Sequence, residues 1–560
     1  MPNGSLARVL MSAVLPVALT AGTTSAGAAP VPVAVQVTGP DLAVDVRAGR
    51  HAISPYIYGM NFADEELAAE LRLPVRRWGG NATTRYHFRH DTTNRGSDWY
   101  FENVPGSADP AQLPGGSETD RFVDQDRRTG TKTVLTVPLI GWAPKARDWS
   151  CGFSITAYGP QQGSDAQWRP DCGNGVRPDG TNVTGNDPHD TSVEIGPGYV
   201  RDWLDHLVGE YGTARKGGVR FYNLDNEPDL WFATHRDVHP LGASYEEVRD
   251  RTQEIAAAVK AADPGAETLG PVGWGYNSLI FSGLDQKTCG EVGGGCWANP
   301  PDRAAHGGVF FADWYLAQMR AYQRRTGKRL LDYFDNHLYP QQPGVAFGSA
   351  GSEETQALRL RSTRQLWDPT YVDESWINTS VEFIPRLRRL VDQNYPGTKL
   401  AITEYNWGAH DHINGALAQA DVLGIFGREG LDLATLWAPP STKQPAAYAF
   451  RMFLDYDGQG SGFGETAVRA TSTDQGDLAA YAAVRDSDGA LTLLVVNKTA
   501  SDLTSAVSAA GRPGRRNARV YRYSQADLTR IVRAADQVVT ANGFTATFPA
   551  NSITVFEIPR

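Results

Sequence analysis

Between about residue 55 and residue 440 the chain alternates short apolar runs with longer amphipathic stretches. The runs are 57–61, 75–78, 134–138, 219–224, 268–272, 333–337, 400–404 and 433–437, eight in all. Most of them, such as TVLTVP and LAITE, lack a solvent-facing side, as parallel strands buried on both faces require. The stretches between them carry helical periodicity. Ser244 to Glu247 reads as a capping box, followed by a buried stripe at Ile255 and Val259, with Asp263-Pro264 as the stop. Trp203, Leu204, Leu207, Val208 and Tyr211 share one face of a second helix, and a third runs from Ile413 to Phe426. Strands alternating with helices in this number predict a (β/α)₈ barrel. No Gly-x-Gly-x-x-Gly follows the first strand, which weakens a dinucleotide-binding alternative.

After residue 440 the period changes to short alternating runs separated by turns, including 478–484, 491–496, 518–523, 544–548 and 552–558. That pattern predicts a β-sandwich. The alternating segment 33–46 is expected to add strands to it. No Pro/Ser-rich linker separates the two parts, so they should pack directly. The organisation is therefore a leader over 1–29, N-terminal strand or strands within 30–50, a catalytic barrel over 51–440 and a β-sandwich over 441–560. The leader has Arg8, an apolar stretch from Val9 to Ala21, and small residues around Ala28 and Ala29 that suit export and cleavage. It is shorter than the roughly 20 apolar residues of a membrane span and is broken by Pro16.

Composition narrows the function classes. The 53 basic and 63 acidic residues leave a net charge of −10, which does not suit a phosphate-backbone partner. The four cysteines fit a secreted protein: Cys151 and Cys172 lie in one polar stretch, Cys289 and Cys296 in another. Three pairings are open, and the two local ones are favoured because each closes a short loop. Long polar segments at 144–195, 273–306 and 340–376 follow the third, fifth and sixth strands. In a barrel, such loops rise on the face that bears the active site.

Two acids stand out there. Glu227 ends the fourth strand, within Asp225-Asn226-Glu227-Pro228, and Glu404 ends the seventh. Strands four and seven come close to facing positions across a barrel mouth. Two carboxyls are what glycosidic cleavage needs, one to protonate the leaving oxygen and one to attack or to activate water.

The motifs around these acids resemble glycoside hydrolase family 44. Arg77 to Tyr86 (RWGGNATTRY), Gly96 to Asn103 (GSDWYFEN), Tyr222 to Pro228 (YNLDNEP), Asp332 to Pro340 (DYFDNHLYP), Asp368 to Trp376 (DPTYVDESW) and Ile402 to Gly408 (ITEYNWG) carry the resemblance across the mature chain. His87 departs from it, where Asn would follow Thr-Arg-Tyr. The resemblance implies a barrel-plus-sandwich layout and a retaining mechanism with Glu227 as acid/base and Glu404 as nucleophile. It further implies that Asn226 bonds the sugar 2-hydroxyl. Arg77, His337 and Tyr339, at other strand ends, are the candidate donors to the Glu404 carboxylate. Among the 14 Trp residues, Trp78, Trp142, Trp274, Trp376, Trp407 and Trp437 lie at strand ends or in top-face loops, where about half should stack on sugar rings. Trp437 is the candidate floor beneath the cleaved bond.

The reading is a secreted, monomeric, endo-acting retaining hydrolase of β-1,4-glucans of the cellulose or xyloglucan type. Its partner is a plant-cell-wall-type polysaccharide, with no nucleic acid and no membrane. No cofactor is required for the chemistry. The resemblance allows a structural Ca²⁺, for which no ligands are assigned. The alternatives are a β-mannanase, an exo-acting two-glutamate barrel glycosidase, and a non-catalytic glycan-binding protein.

Overall fold

A computed structural model describes residues 36–511 and 514–560, so the leader lies outside the described residues. The eight apolar runs form eight strands: β1 (Gly59–Asn61), β2 (Val75–Trp78), β3 (Lys132–Val137), β4 (Phe221–Leu224), β5 (Glu267–Gly273), β6 (Tyr333–Asn336), β7 (Lys399–Tyr405) and β8 (Leu433–Leu436). All pair in parallel, β8 with β1 included, which closes the barrel. Helices follow the strands. Tyr245–Ala262 starts where the Ser244 hydroxyl accepts the Glu247 amide at 3.2 Å. The helix Pro445–Leu454 packs against Ile413–Glu429 and Glu65–Leu71, so the helix that completes the ring lies beyond residue 440.

The barrel interior is built in two chemically distinct layers. Val75, Val134, Phe221, Leu269, Tyr333, Ala401 and Leu433, one from each of β2 to β8, form a buried apolar floor with Tyr56 packed against it. Because side chains alternate along a strand, the residues two positions on enter the same interior one layer higher. They are Arg77, Thr136, Asn223, Pro271, Asp335, Thr403 and Thr435, joined by Asn61 of β1. This layer is largely polar, and its polar members are fully buried.

The C-terminal domain is mostly β. One ten-stranded sheet runs from Asp527–Val539 at one edge to Phe544–Phe548 at the other, and it curls until those edges approach each other. The expected sandwich thus takes the form of a single near-closed sheet. Leu42–Asp45 enters it between Thr466–Ser472, which it pairs with antiparallel, and Leu503–Ala510, which it pairs with in parallel. Inside sits an apolar core including Leu42, Val44, Leu493, Val495, Val520, Phe548, Phe556 and Ile558.

Helix Ile413–Glu429 carries the contact between the two domains and is buried from Ile413 to Gly427. Gly424 allows this closeness, since a Cβ there would meet the Tyr481 ring at 2.3 Å. Asp421 on the same helix accepts from Tyr481 Oη (2.6 Å), Thr363 Oγ1 (2.6 Å) and Lys498 Nζ (3.1 Å), all buried. Cys151–Cys172 and Cys289–Cys296 are disulfides that staple the loops after β3 and β5.

Candidate active site

The polar layer closes into a hydrogen-bonded ring. Asn61 Nδ2 donates to Thr435 Oγ1 (3.2 Å) and to the Thr403 carbonyl (2.9 Å), while Asn61 Oδ1 accepts from Arg77 Nη1 (3.1 Å). Arg77 Nε donates to Asn223 Oδ1 (2.9 Å), and Asn223 Nδ2 donates to Asp335 Oδ2 (2.6 Å). Thr403 Oγ1 donates to that same Asp335 oxygen at 2.6 Å, which returns the ring to β7. Buried polar groups must be partnered, and here side chains from β1, β2, β4, β6, β7 and β8 partner one another, with the bonds from β2 to β4 and from β4 to β6 each passing over a strand.

Both glutamates stand on this ring. Glu404 Oε1 accepts from Arg77 Nη1 at 2.6 Å, and Oε2 accepts from Tyr339 Oη at 2.7 Å. Two donors, one of them cationic, suit an ionised carboxylate. A register irregularity lies between Ile402 and Tyr405 in the β7–β8 pairing, and there adjacent Thr403 and Glu404 both bond to barrel side chains, Thr403 to Asp335 of β6 and Glu404 to Arg77 of β2.

Glu227 follows β4 in a left-handed backbone conformation (φ 45°), as do Asp225 (φ 70°) and, on β5, Val272 (φ 61°). Non-glycine residues hold such angles where their surroundings dictate it. The Asp225 carboxylate accepts the amides of Leu139 (2.5 Å), Ile140 (2.8 Å) and Asn226 (2.7 Å), and the Glu227 amide donates to the Val272 carbonyl at 2.9 Å. Burial pushes the Glu227 carboxyl up to about 7, against the pull of Arg77 and with the nearby Asp98 charge adding to the rise. Asp229, two residues on, is also pushed up to about 7 by burial. An oxygen of Glu227, an oxygen of Glu404 and a ring nitrogen of His337 all lie within 4.8 Å of one another.

Of the other residues singled out in the sequence, Arg77, Asn226, His337 and Tyr339 gather here. Asn226 Oδ1 accepts from Arg77 Nη2 at 2.8 Å, and its Nδ2 donates to Asn81 at 3.1 Å. His337 was a candidate donor to Glu404. Its Nδ1 instead lies 2.9 Å from Glu227 Oε1 and 3.5 Å from Glu404 Oε2.

The tryptophans divide. Trp376 is 55% exposed, and half-buried Trp437 meets exposed Phe62 edge-on at 6.1 Å and lies against Gly80. Trp142 and Trp274 are half-buried; Trp274 Nε1 donates to Gln286, whose amide holds Asp229 at 3.0 Å. Trp78 and Trp407 are not available to sugar, contrary to expectation. Each is 1% exposed, Trp78 packed on Tyr86 and Trp203 and Trp407 bonded to Ser362. Their strand-end positions pointed outward into the helical layer. His87 is likewise buried, stacked on His90 at 4.2 Å.

Sequence reading missed Asn61, Asn223, Asp335 and Thr403. The signal was present: Asn61 closes an apolar barrel run, and Asn223, Asp335 and Thr403 are polar residues inside such runs, two positions after the floor residues Phe221, Tyr333 and Ala401. Exposed Phe347 against Tyr339, with centroids 5.0 Å apart, had no such signal. For Ca²⁺, the described residues outside the two-glutamate centre offer one compact acidic group, Glu246, Asp302 and His306. It does not fit a calcium ion. One ligand is an imidazole, and Asp302 Oδ2 is already taken by the Tyr245 amide and the Ser282 hydroxyl.

Residues 92–342 match the model of glycoside hydrolase family 44. Endoglucanase A of Paenibacillus lautus is 31% identical over 563 residues, covering 97% of this chain and 75% of that protein. This chain belongs to glycoside hydrolase family 44. Among solved structures, CelM2, a bifunctional glucanase-xylanase from a metagenome library, is 43% identical with a TM-score of 0.89, over 93% of this chain and 99% of that one. A family 44 xyloglucanase from Paenibacillus polymyxa, also solved with xyloglucan, is 31% identical with a TM-score of 0.77, over 93% and 99%. As a family 44 member, the protein is a glycoside hydrolase of the endoglucanase/xyloglucanase type.

Proposed function

We propose that this enzyme is a secreted, endo-acting β-1,4-glucanase that retains anomeric configuration, with Glu404 as nucleophile and Glu227 as acid/base. The observation that carries the reading is the approach of the two carboxyls, with oxygens within 4.8 Å of each other. Retaining enzymes hold their carboxyls about 5–5.5 Å apart, whereas inverting enzymes need about 6.5–9.5 Å to admit a water. The asymmetry of the pair supports the assignment of roles. Burial raises the Glu227 carboxyl to about 7, while Glu404 receives hydrogen bonds from Arg77 and Tyr339.

In the first step Glu404 attacks the anomeric carbon while Glu227 gives its proton to the departing glycosidic oxygen. A covalent glycosyl-enzyme results. In the second step Glu227, now a carboxylate, takes a proton from water, and that water displaces Glu404. Asn226 has one amide hydrogen beyond its bond to Asn81, which suits the sugar 2-hydroxyl. Exposed Trp376 and Phe347 and half-buried Trp437 offer stacking surfaces for a polysaccharide chain. Glucan and xyloglucan are the favoured substrates, and the glucanase-xylanase relative makes xylan the second polymer to try. The two disulfides and the leader sequence support action outside the cell.

The test is azide rescue of Glu404→Ala and Glu227→Ala on an activated aryl glucoside oligomer. A retaining enzyme with these roles gives the α-glycosyl azide from the Glu404 variant and the β-glycosyl azide from the Glu227 variant. Near-normal activity in either variant on polymer would sink the assignment. Viscosity should fall well ahead of reducing-sugar release; the reverse would mean exo action.

A further inference from the structure

His337 is fully buried between the two glutamates, and the hydrogens around it can be counted. Asp335 Oδ2 accepts from both Asn223 Nδ2 and Thr403 Oγ1 at 2.6 Å, and Oδ1 accepts the Thr403 amide at 3.1 Å. An oxygen with two donors at that range is a carboxylate oxygen, so the single hydroxyl hydrogen of Thr403 lies toward Asp335. His337 Nε2 is 3.2 Å from Thr403 Oγ1. With the hydroxyl hydrogen committed, Oγ1 presents only lone pairs, and Nε2 must be the donor. Burial pushes the imidazole down to about 4, so near neutrality it carries one hydrogen and Nδ1 is bare. Nδ1 is 2.9 Å from Glu227 Oε1, and a hydrogen between them can come only from the carboxyl.

We infer that Asp335 and Thr403 are positioning residues that hold His337 as its Nε2-protonated tautomer, so that the Nδ1 lone pair keeps the acid proton on Glu227 in the resting enzyme. This rests on Glu227 being the acid. The opposite tautomer would need the Thr403 hydrogen to turn to Nε2, leaving two oxygens 2.6 Å apart with nothing between them. It would also aim an N–H at Glu227 and favour that group's ionised form. The charged and titratable groups around the pair come from several elements: Arg77 on β2, Asp98 in the loop after it, Asp229 beyond β4, Asp335 on β6, Tyr339 after it, and Glu404 on β7. Arg77 is the cation among them, and it already serves Glu404, Asn226, Asn61 and Asn223. When a leaving oxygen arrives, the Glu227 carboxyl turns from Nδ1 to deliver the proton, and water returns one in the second step.

Histidine-selective ¹⁵N NMR of the intact enzyme reads the tautomer directly, with the signal assigned by its loss in His337→Gln. The expected result is a protonated Nε2 and an unprotonated Nδ1; an Nδ1-protonated ring would overturn the inference. Thr403→Val keeps the side-chain shape and removes the hydroxyl. Its alkaline limb of kcat/KM should move to lower pH by roughly one unit. Hydrolysis of a polymer should suffer much more than that of an aryl glycoside whose leaving group needs no acid. Thr403→Ser should restore both. An unchanged alkaline limb in folded Thr403→Val would count against the relay. If Thr403→Val does not fold, the wild-type NMR result still decides. The tautomer itself does not depend on Glu227 being the acid, so a failed azide experiment with an Nε2-protonated ring and a sound azide experiment with an Nδ1-protonated ring are distinguishable.

Discussion

The barrel and the C-terminal sheet both wrap strands around an interior, and they fill it in opposite ways. Inside the sheet, Leu42, Leu493, Val495, Phe548, Phe556 and their neighbours make an apolar core. Inside the barrel the apolar floor is one layer deep, and above it lies a ring of amides, hydroxyls, an arginine and a carboxylate. Burying such groups gains little net stability even when every hydrogen bond is made, whereas apolar burial contributes about 25 cal/mol per Å². The barrel thus gives up part of its core to hold two carboxyls in different surroundings, Glu404 on Arg77 and Tyr339 and Glu227 on His337. The sheet, with no such task, supplies apolar area and a firm junction.

The sharpest separation is expected from Glu404→Gln, which keeps an acceptor for Arg77. Turnover should fall on the order of 10⁶-fold, the scale of losing a covalent nucleophile, with little change in the melting temperature. Phe556→Ala should do the reverse. It should lose about 3–5 kcal/mol of stability by denaturant titration while the folded enzyme keeps its kcat. A large drop in kcat there would break the comparison. Lys498→Met tests the junction, where it leaves a buried Asp421 charge without its cation. A loss of about 3 kcal/mol is expected, read as a lower unfolding midpoint with KM unchanged.

The pH profile offers a subtler test. In the proposed mechanism Glu227 acts in its protonated form, and its carboxyl is raised to about 7, so kcat/KM should fall about tenfold per pH unit above that point. A limb near the ordinary carboxylic range would mean that burial does not raise the group. The smallest effect belongs to exposed Trp376. Its replacement by Ala should weaken binding of long substrates by about 1 kcal/mol, seen in KM on polymer and absent on short aryl glycosides.

Much of this was legible beforehand. Eight apolar runs at barrel spacing, a change of period after residue 440 and two acids at strand ends four and seven each had a local cause in hydrophobic alternation. The polar layer was half legible. Arg77 stood out as a charge closing an apolar run, while Asn223, Asp335 and Thr403 passed as ordinary residues because their partners sit on other strands. Trp78 and Trp407 show the converse error. A strand-end aromatic reads as a sugar platform until the side chain's direction is known.

By itself, then, the sequence determined the strand count and the barrel and sheet layout, and it singled out two glutamates at strand ends, because these follow from periodicity and residue type along the chain. Only the tertiary structure decided how close those glutamates come, which donors Glu404 receives and where the two nitrogens of His337 lie. Those are properties of side chains from six or more strands meeting at one level of a closed barrel. The level is set by strand register and by the irregularity at Ile402–Tyr405, which no local pattern encodes.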